Sequence, residues 1–430
     1  MKKLTFPTLL LGLLLGGTLS VNAESYKFDL TGAKTPKDGY TAISTSNVYS
    51  KDAGYGYDFT EIGGTNPDKP FFFSVDVPDG NYKVTVTLGN DKDASNTTIK
   101  GEARRLYANN VETKKGENKE VTFIVNKRDV NIKGKKDKVK IKDREKTGKN
   151  WDDKLTLEFT GHNPHVKYIA IEPVEKVTTV YICGDSTVTD NDAEPYSGWA
   201  QMLPLMFDEN VSIANYAESG LSANTFLGQK RLEKAVSQMK KGDYVLIEFG
   251  HNDQKQKDPG AGAYYNYAYS LKQYIDYAKQ KGATPILITP TRRRQFDKDG
   301  KTIKDTHADY PQAMKEIAER EGVLLVDFQE LTKILYETMG EEDSKKLLVH
   351  YPMGTFPGQE KELKDNTHFS NFGAYEIAKI FVADLANQNI PLAQYVKPEY
   401  RGFNPSKPDK FESFDYTITP LYNVGKPAGN

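Results

Sequence analysis

A single cysteine, Cys183, stands in 430 residues. One thiol cannot close an internal disulfide, so stability has to come from hydrophobic cores, which a chain of this length can build. An excess of one charge is also missing. The 58 Lys and Arg meet 59 Asp and Glu, which argues against a nucleic-acid binder, whose basic excess supplies much of its affinity. There is no GxxxxGK phosphate loop and no GxGxxG, so nucleotide chemistry has no support. Long apolar runs are absent too. The run Leu9 to Leu15 follows Lys2 and Lys3 and precedes Val21-Asn22-Ala23, with small side chains at the cleavage positions, so residues 1–23 read as an export signal rather than a membrane anchor. Removing 23 residues leaves 407 and takes the net charge from −1 to −3. No Cys follows the cleavage site, which disfavours a lipid anchor. The expectation is a secreted or periplasmic protein, without membrane insertion after signal removal, of two domains.

The chain changes character near residue 176. Between residues 24 and 176, β-like runs such as Phe71–Val77, Tyr82–Leu88, Val121–Val125 and Leu155–Phe159 alternate with turn signals, which predicts an antiparallel β-sandwich. Inside it, Lys127 to Lys149 holds eleven basic and four acidic residues. This segment of net +7 reads either as a patch that attracts a polyanion or as a solvated face or extended hairpin.

From 177 to 430, apolar strand-like runs at Thr179–Cys183, Tyr244–Phe249, Thr284–Ile288 and Val323–Phe328 alternate with helical patterns. Tyr267, Leu271, Tyr274, Ile275 and Ala278 share one helical face, as do Met314, Ile317 and Ala318. Strands alternating with helices predict a three-layer α/β domain around a parallel sheet, with a last helix near Asn371–Asn387 and a surface-wrapping tail beyond Pro391.

Four segments at strand ends carry polar side chains where α/β folds place ligands. Gly184-Asp185-Ser186-Thr187 follows a strand, which puts the Ser186 hydroxyl on a tight turn opening a helix or, equally, makes it a helix N-cap. Asp365-Asn366-Thr367-His368, on a loop before the last helix, lets a carboxylate hold an imidazole in one tautomer, as a general base requires. Gly220 in Tyr216–Asn224 and Asn252 in Phe249–Asp253 could offer N–H donors to an oxyanion, or serve only as a positive-φ position and a turn bridge.

These four segments, in this order, resemble the blocks of the SGNH (GDSL-type) hydrolases. Gly184–Val188, Glu194–Trp199, Ala214–Gly220, Phe249–Gln254 and Thr306–Pro311 look like bacterial rhamnogalacturonan acetylesterases, while Gly54–Phe59 and Asp76–Tyr82 resemble the β-sandwich of two-domain members. The resemblance implies a Ser186, His368, Asp365 triad and an oxyanion hole from Ser186, Gly220 and Asn252. It assigns Asp185, Thr187, Asn224 and His251 to substrate binding, although Asn224 stands where relatives often carry Lys or Arg. The implied substrate is acetylated plant cell-wall polysaccharide and the implied state a monomer. Acetylxylan esterase, lipase, non-catalytic carbohydrate-binding and structural surface proteins are the alternatives. No cofactor or metal is implied. His162 and His165 flank Pro164 with no nearby Cys, and Asp190–Glu194 begins like a calcium loop but has Pro195 at its sixth place. Cys183 is expected to be a buried small hydrophobe, His251 and His307 to line the cleft or to be structural, and Trp199 to stack on sugar or pack inside.

Overall fold

Ten strands build the first half of the computed structural model, which describes residues 25–428; the export segment expected at 1–23 lies outside them. They are β1 (Tyr26–Asp29), β2 (Thr41–Ala42), β3 (Tyr55–Asp58), β4 (Phe71–Asp76), β5 (Gly80–Leu88), β6 (Ser95–Gly101), β7 (Arg105–Thr113), β8 (Lys119–Lys127), β9 (Lys154–Asn163) and β10 (Val166–Pro173), with a one-turn helix α1 (Thr60–Gly63). Two sheets, ordered β2-β1-β10-β5-β8 and β3-β4-β9-β6-β7, face each other. Alternate residues of β5 (Tyr82, Val84, Val86, Leu88), β4 (Phe71, Phe73, Val75) and β9 (Leu155, Leu157, Phe159) point into one shared core. That is the period of two a sandwich requires.

The second half contributes five parallel strands, β11 (Thr178–Gly184), β12 (Val211–Asn215), β13 (Tyr244–Glu248), β14 (Thr284–Ile288) and β15 (Leu324–Val326), in the order β15-β14-β13-β11-β12. Helices cover both faces: α2 (Leu203–Met206), α3 (Ala223–Gly228), α4 (Arg231–Gln238), α5 (Ala268–Gln280), α6 (Tyr310–Glu321), α7 (Phe328–Asp343) and α8 (Asn371–Asn387). Val180, Ile182, Leu246 and Ile288 pack under α7 and α8 on one face. Tyr181, Cys183, Val245 and Ile247 pack under α3 to α6 on the other. A two-stranded antiparallel pair, β16 (Leu348–Tyr351) and β17 (Leu363–Phe369), precedes α8. Among the described residues no helix is long and apolar enough to cross a membrane.

The two halves share one sheet. Val125 on β8 pairs with Ile213 on β12, which joins the sandwich sheet to the parallel sheet as ten continuous strands. The turn between β6 and β7 drives Arg104 (φ +60°) into the second half, where its guanidinium pairs with Glu194 at 2.6 Å and donates to Asn371 Oδ1 at 2.8 Å. The tail then runs back: Thr419 donates to Glu158, and Lys100 donates to the carbonyl of Thr417 at 2.7 Å.

Three expectations are corrected. No helix opens at Ser186, because the Asn215 amide takes the Val188 carbonyl (2.8 Å) and Asp190 (2.7 Å), holding 188–190 away from a helical path; the first α-helix after β11 starts at Leu203. Asp365 and His368 lie on β17 rather than on a loop. The third concerns the basic segment Lys127–Lys149, which is a solvated hairpin only in its middle, where Lys133, Lys136, Lys138 and Lys140 are exposed and Asn131 bridges Lys138. It crosses onto the second half with Lys127, Arg128 and Lys149 buried, Lys135 paired with Glu233, Arg144 with Glu218 and Lys149 with Asp192.

Candidate active site

Strand β11 ends at Gly184, whose α-carbon is so close to Val188 that a Cβ there would meet the valine Cγ2 at 2.7 Å. The N–H groups of Val188 and Thr189 then donate to the Asp185 carbonyl, closing the turn that carries Ser186. From β17, 182 residues away in sequence, comes the imidazole of His368; its Nε2 accepts the Ser186 hydroxyl at 2.8 Å. Nδ1 of the same ring donates to Asp365 Oδ2 at 2.7 Å. The other carboxylate oxygen accepts the N–H groups of Thr367 (2.8 Å) and His368 (3.0 Å). Burial opposes a charge on Asp365, but these hydrogen bonds outweigh it and hold its carboxyl below the usual range. The tautomer follows: Nδ1 carries the proton and Nε2 accepts the Ser186 hydroxyl. Tyr196 meets the His368 ring edge-on, with centroids 5.8 Å apart.

The oxyanion candidates are tied to the same place. Glu218 N–H donates to the Gly184 carbonyl, so the β12 loop follows the nucleophile turn, and Gly220 sits at φ +77°, where a side chain would be strained. The Asn252 amide donates one N–H to the Leu221 carbonyl at 3.0 Å, which leaves its second N–H for a ligand. The geometry thus groups Ser186, His368, Asp365, Gly220 and Asn252.

Three residues assigned to substrate binding are corrected. Asp185 and Thr187 have no exposed surface and His251 only 1%. Their side chains are engaged inside the protein, Thr187 with Asp185 and Glu248 and His251 with His307. Thr187 Oγ1 bridges Asp185 (3.1 Å) and Glu248 (3.3 Å), and Glu248 also accepts the Trp199 indole N–H at 2.6 Å. Burial, then the neighbouring Asp185, pushes the Glu248 carboxyl up to about 8. Protonated, Glu248 donates to Thr187, which donates to Asp185. Asn224 is partly exposed, but its carbonyl accepts from Ser222 (2.7 Å) and Gln256 (2.8 Å), so it braces its own loop.

His251 and His307 form a buried chain. Gln329 donates to His307 Nδ1 at 3.0 Å, and His307 Nε2 donates to His251 Nδ1 at 3.0 Å. Burial lowers the proton affinity of both rings, and the His307 partner lowers that of His251 further. His162 pairs with Asp415 and His165 with Asp68, at separate places. Cys183 is fully buried, and burial raises its thiol.

A cavity of about 500 Å³ opens beside the triad. Tyr196 and Ser219 line one side, Arg144 and Lys149 of the crossing segment another, and Tyr422 to Ala428 of the tail a third. Ala428 packs on Gly220, its carbonyl 3.2 Å from where a Cβ would stand. Sequence reasoning expected a surface-wrapping tail beyond Pro391 but foresaw neither its place at this cavity nor Glu248. A carboxylate closing the apolar run Tyr-Val-Leu-Ile-Glu was a visible signal for Glu248, whereas nothing local told which surface the tail covers.

Residues 182–371 match the GDSL-like Lipase/Acylhydrolase family. Over 225 residues the chain is 38% identical to rhamnogalacturonan acetylesterase RhgT of Bacillus subtilis (strain 168), spanning 52% of this chain and 96% of that protein. The uncharacterized esterase YxiM of the same bacterium is 27% identical over 408 residues, 89% of this chain and 97% of YxiM, so this similarity runs through the sandwich. A rhamnogalacturonan acetylesterase of Emericella nidulans is 25% identical over 245 residues, 52% of this chain and 91% of that protein.

Proposed function

Because the chain belongs to the GDSL-like lipase/acylhydrolase family, we propose that it is a serine esterase that removes O-acetyl groups from pectic polysaccharide of the rhamnogalacturonan type. The observation that carries the esterase reading is the unbroken Ser186, His368, Asp365 hydrogen-bond chain. The similarity to rhamnogalacturonan acetylesterases over nearly their whole length supports the substrate class.

His368 Nε2 takes the Ser186 proton as Oγ attacks the acetyl carbonyl carbon, and Asp365 stabilises the imidazolium. The N–H groups of Ser186 and Gly220 and the spare Asn252 N–H receive the oxyanion. The C–O bond to the sugar breaks, the sugar oxygen takes the proton from His368, and the acetyl group stays on Ser186. Water, deprotonated by His368, then releases acetate and restores the hydroxyl. With residues 1–23 as the export segment, the enzyme acts outside the cytoplasm, where cell-wall polysaccharide is met.

The test is acetate release from acetylated rhamnogalacturonan, acetylated xylan and other acetylated pectins, beside short-chain and long-chain aryl esters. The expected order places rhamnogalacturonan first and long-chain esters last. A preference for xylan overturns the pectic reading, and no release from any ester overturns the esterase reading.

A further inference from the structure

Residues 419–428 run along the active-site cavity in two parts that are held very differently. The first part is fixed. Glu194 N–H donates to the Leu421 carbonyl and Asn423 N–H to the Glu194 carbonyl, both at 2.7 Å, while Thr419 N–H donates to the Glu194 carboxylate at 3.2 Å. Glu194 is itself buried and paired with Arg104, so this anchor belongs to the junction of the two halves. The Tyr422 ring adds a contact with Phe356, centroids 5.9 Å apart.

The second part, 424–428, is loosely held. Among the described residues no backbone hydrogen bond ties it to the body of the protein, and the Gly425 N–H turns back to Asn423 Oδ1 at 3.1 Å. Pro427 has no N–H to give, and Gly425, Lys426 and Ala428 are exposed. Yet this part lies where the chemistry is. Lys426 Nζ stands 3.9 Å from Asp365 Oδ2, and two residues further on the Ala428 carbonyl rests on Gly220. The segment thus bridges the acid of the triad and the glycine of the oxyanion side, the two ends of the space an acetyl ester must enter. Ser186 keeps only 5% of its surface exposed, too little for an ester carried on a polysaccharide chain. The contacts that hold the segment down are weak ones. Lys426 is half exposed, and Asp365 already accepts from His368 and two backbone N–H groups, so their pairing contributes little.

We infer that residues 424–428 form a strap across the active site, hinged at Asn423, which small esters pass and which lifts to let a polysaccharide chain reach Ser186. The inference rests on the esterase reading above and adds a control on access to that site. Molecules with the strap down and up are two populations of one protein, so the apparent affinity for a polymer is reduced by the fraction whose strap is up.

The test compares the full chain with one ending at Asn423, using two fluorophosphonates that label an activated serine, one small and one carried on dextran. In the shortened chain the ratio of the dextran-borne rate to the small-probe rate should rise about tenfold, as for a strap that is up about a tenth of the time. KM for acetylated rhamnogalacturonan should fall with it, while KM for a small aryl acetate holds. A full-length variant combining Lys426→Gln with Pro427→Gly should raise the ratio part of the way, and it carries the test if melting shows the shortened chain to be poorly folded. An unchanged or smaller ratio in a folded variant overturns the strap. So does a higher KM for the polymer, which would make the tail a wall that binds substrate. No labelling of any of the three chains by either probe removes the esterase reading and the strap with it.

Discussion

His368 and His251 are equally buried, each 1% exposed, and belong to one site, yet their surroundings differ in kind. His368 has a carboxylate on one nitrogen and a hydroxyl on the other, so a proton gained at Nε2 is compensated by Asp365. His251 accepts from a second imidazole and has cationic Arg293 nearby, so a proton gained there would be buried and repelled. The comparison teaches that the hydrogen-bond partner, and not burial or residue type, separates a base from a brace. The same contrast holds for carboxylates. Asp365 is held ionised by three hydrogen bonds, whereas Glu248, with burial and Asp185 against it, keeps its proton.

The strongest way to break the comparison is to remove the reacting side. Ser186→Ala should lower kcat for acetate release by ~10⁴-fold or more while circular dichroism and melting stay near wild type. A variant with normal turnover would end the assignment. Asn252→Ala comes next: loss of one oxyanion donor should cut kcat by about 10² to 10³-fold with KM nearly constant, read from steady-state kinetics on an aryl acetate. A rise in KM alone would mean that Asn252 binds substrate and not the transition state.

On the bracing side the effects should move from rate to stability. Gln329→Leu leaves the His307 ring and the Pro290 carbonyl without their donor, and should cost about 1–3 kcal/mol in urea unfolding while kcat falls less than ~10-fold. A collapse of kcat as deep as that of Ser186→Ala would place the histidine chain in the reaction.

The smallest effect is a pH slope. Folded Glu248 keeps its proton up to about 8, whereas unfolded it releases it near 4.5. Between those values the folded state binds more protons, so this group's contribution to stability is present at the acid end and is lost as pH rises. Glu248→Gln should flatten that fall by at most about 1.4 kcal/mol per pH unit, measured as unfolding free energy from pH 5 to 8. An unchanged slope would mean that Glu248 is ionised in the fold.

Much of this was legible in the sequence because it is local. Alternating apolar residues in Tyr82–Leu88 mark a strand buried on one face, and the pattern ending at Asn387 coincides with α8. Ser186, Gly220 and Asn252 each follow a run whose strand character is visible, whereas the strand that carries His368 reads as a loop. Asp185, Thr187 and His251 misled because polarity next to a nucleophile reads as substrate contact, and only packing shows that Thr187 and Trp199 turn inward to Glu248. The basic segment misled for the converse reason: its partners Glu218, Glu233 and Asp192 lie 43 to 98 residues away.

The sequence by itself determined the two kinds of sheet and the absence of disulfide support, since periodicity and cysteine number are properties of short segments, and its resemblance to a family pointed to the triad. The tertiary structure alone decided that β8 and β12 join the halves into one sheet, that His251 is a brace, and that the tail brings Lys426 to the triad. Those outcomes depend on which distant groups become neighbours in a low-dielectric interior, where a partner's charge outweighs a residue's intrinsic character.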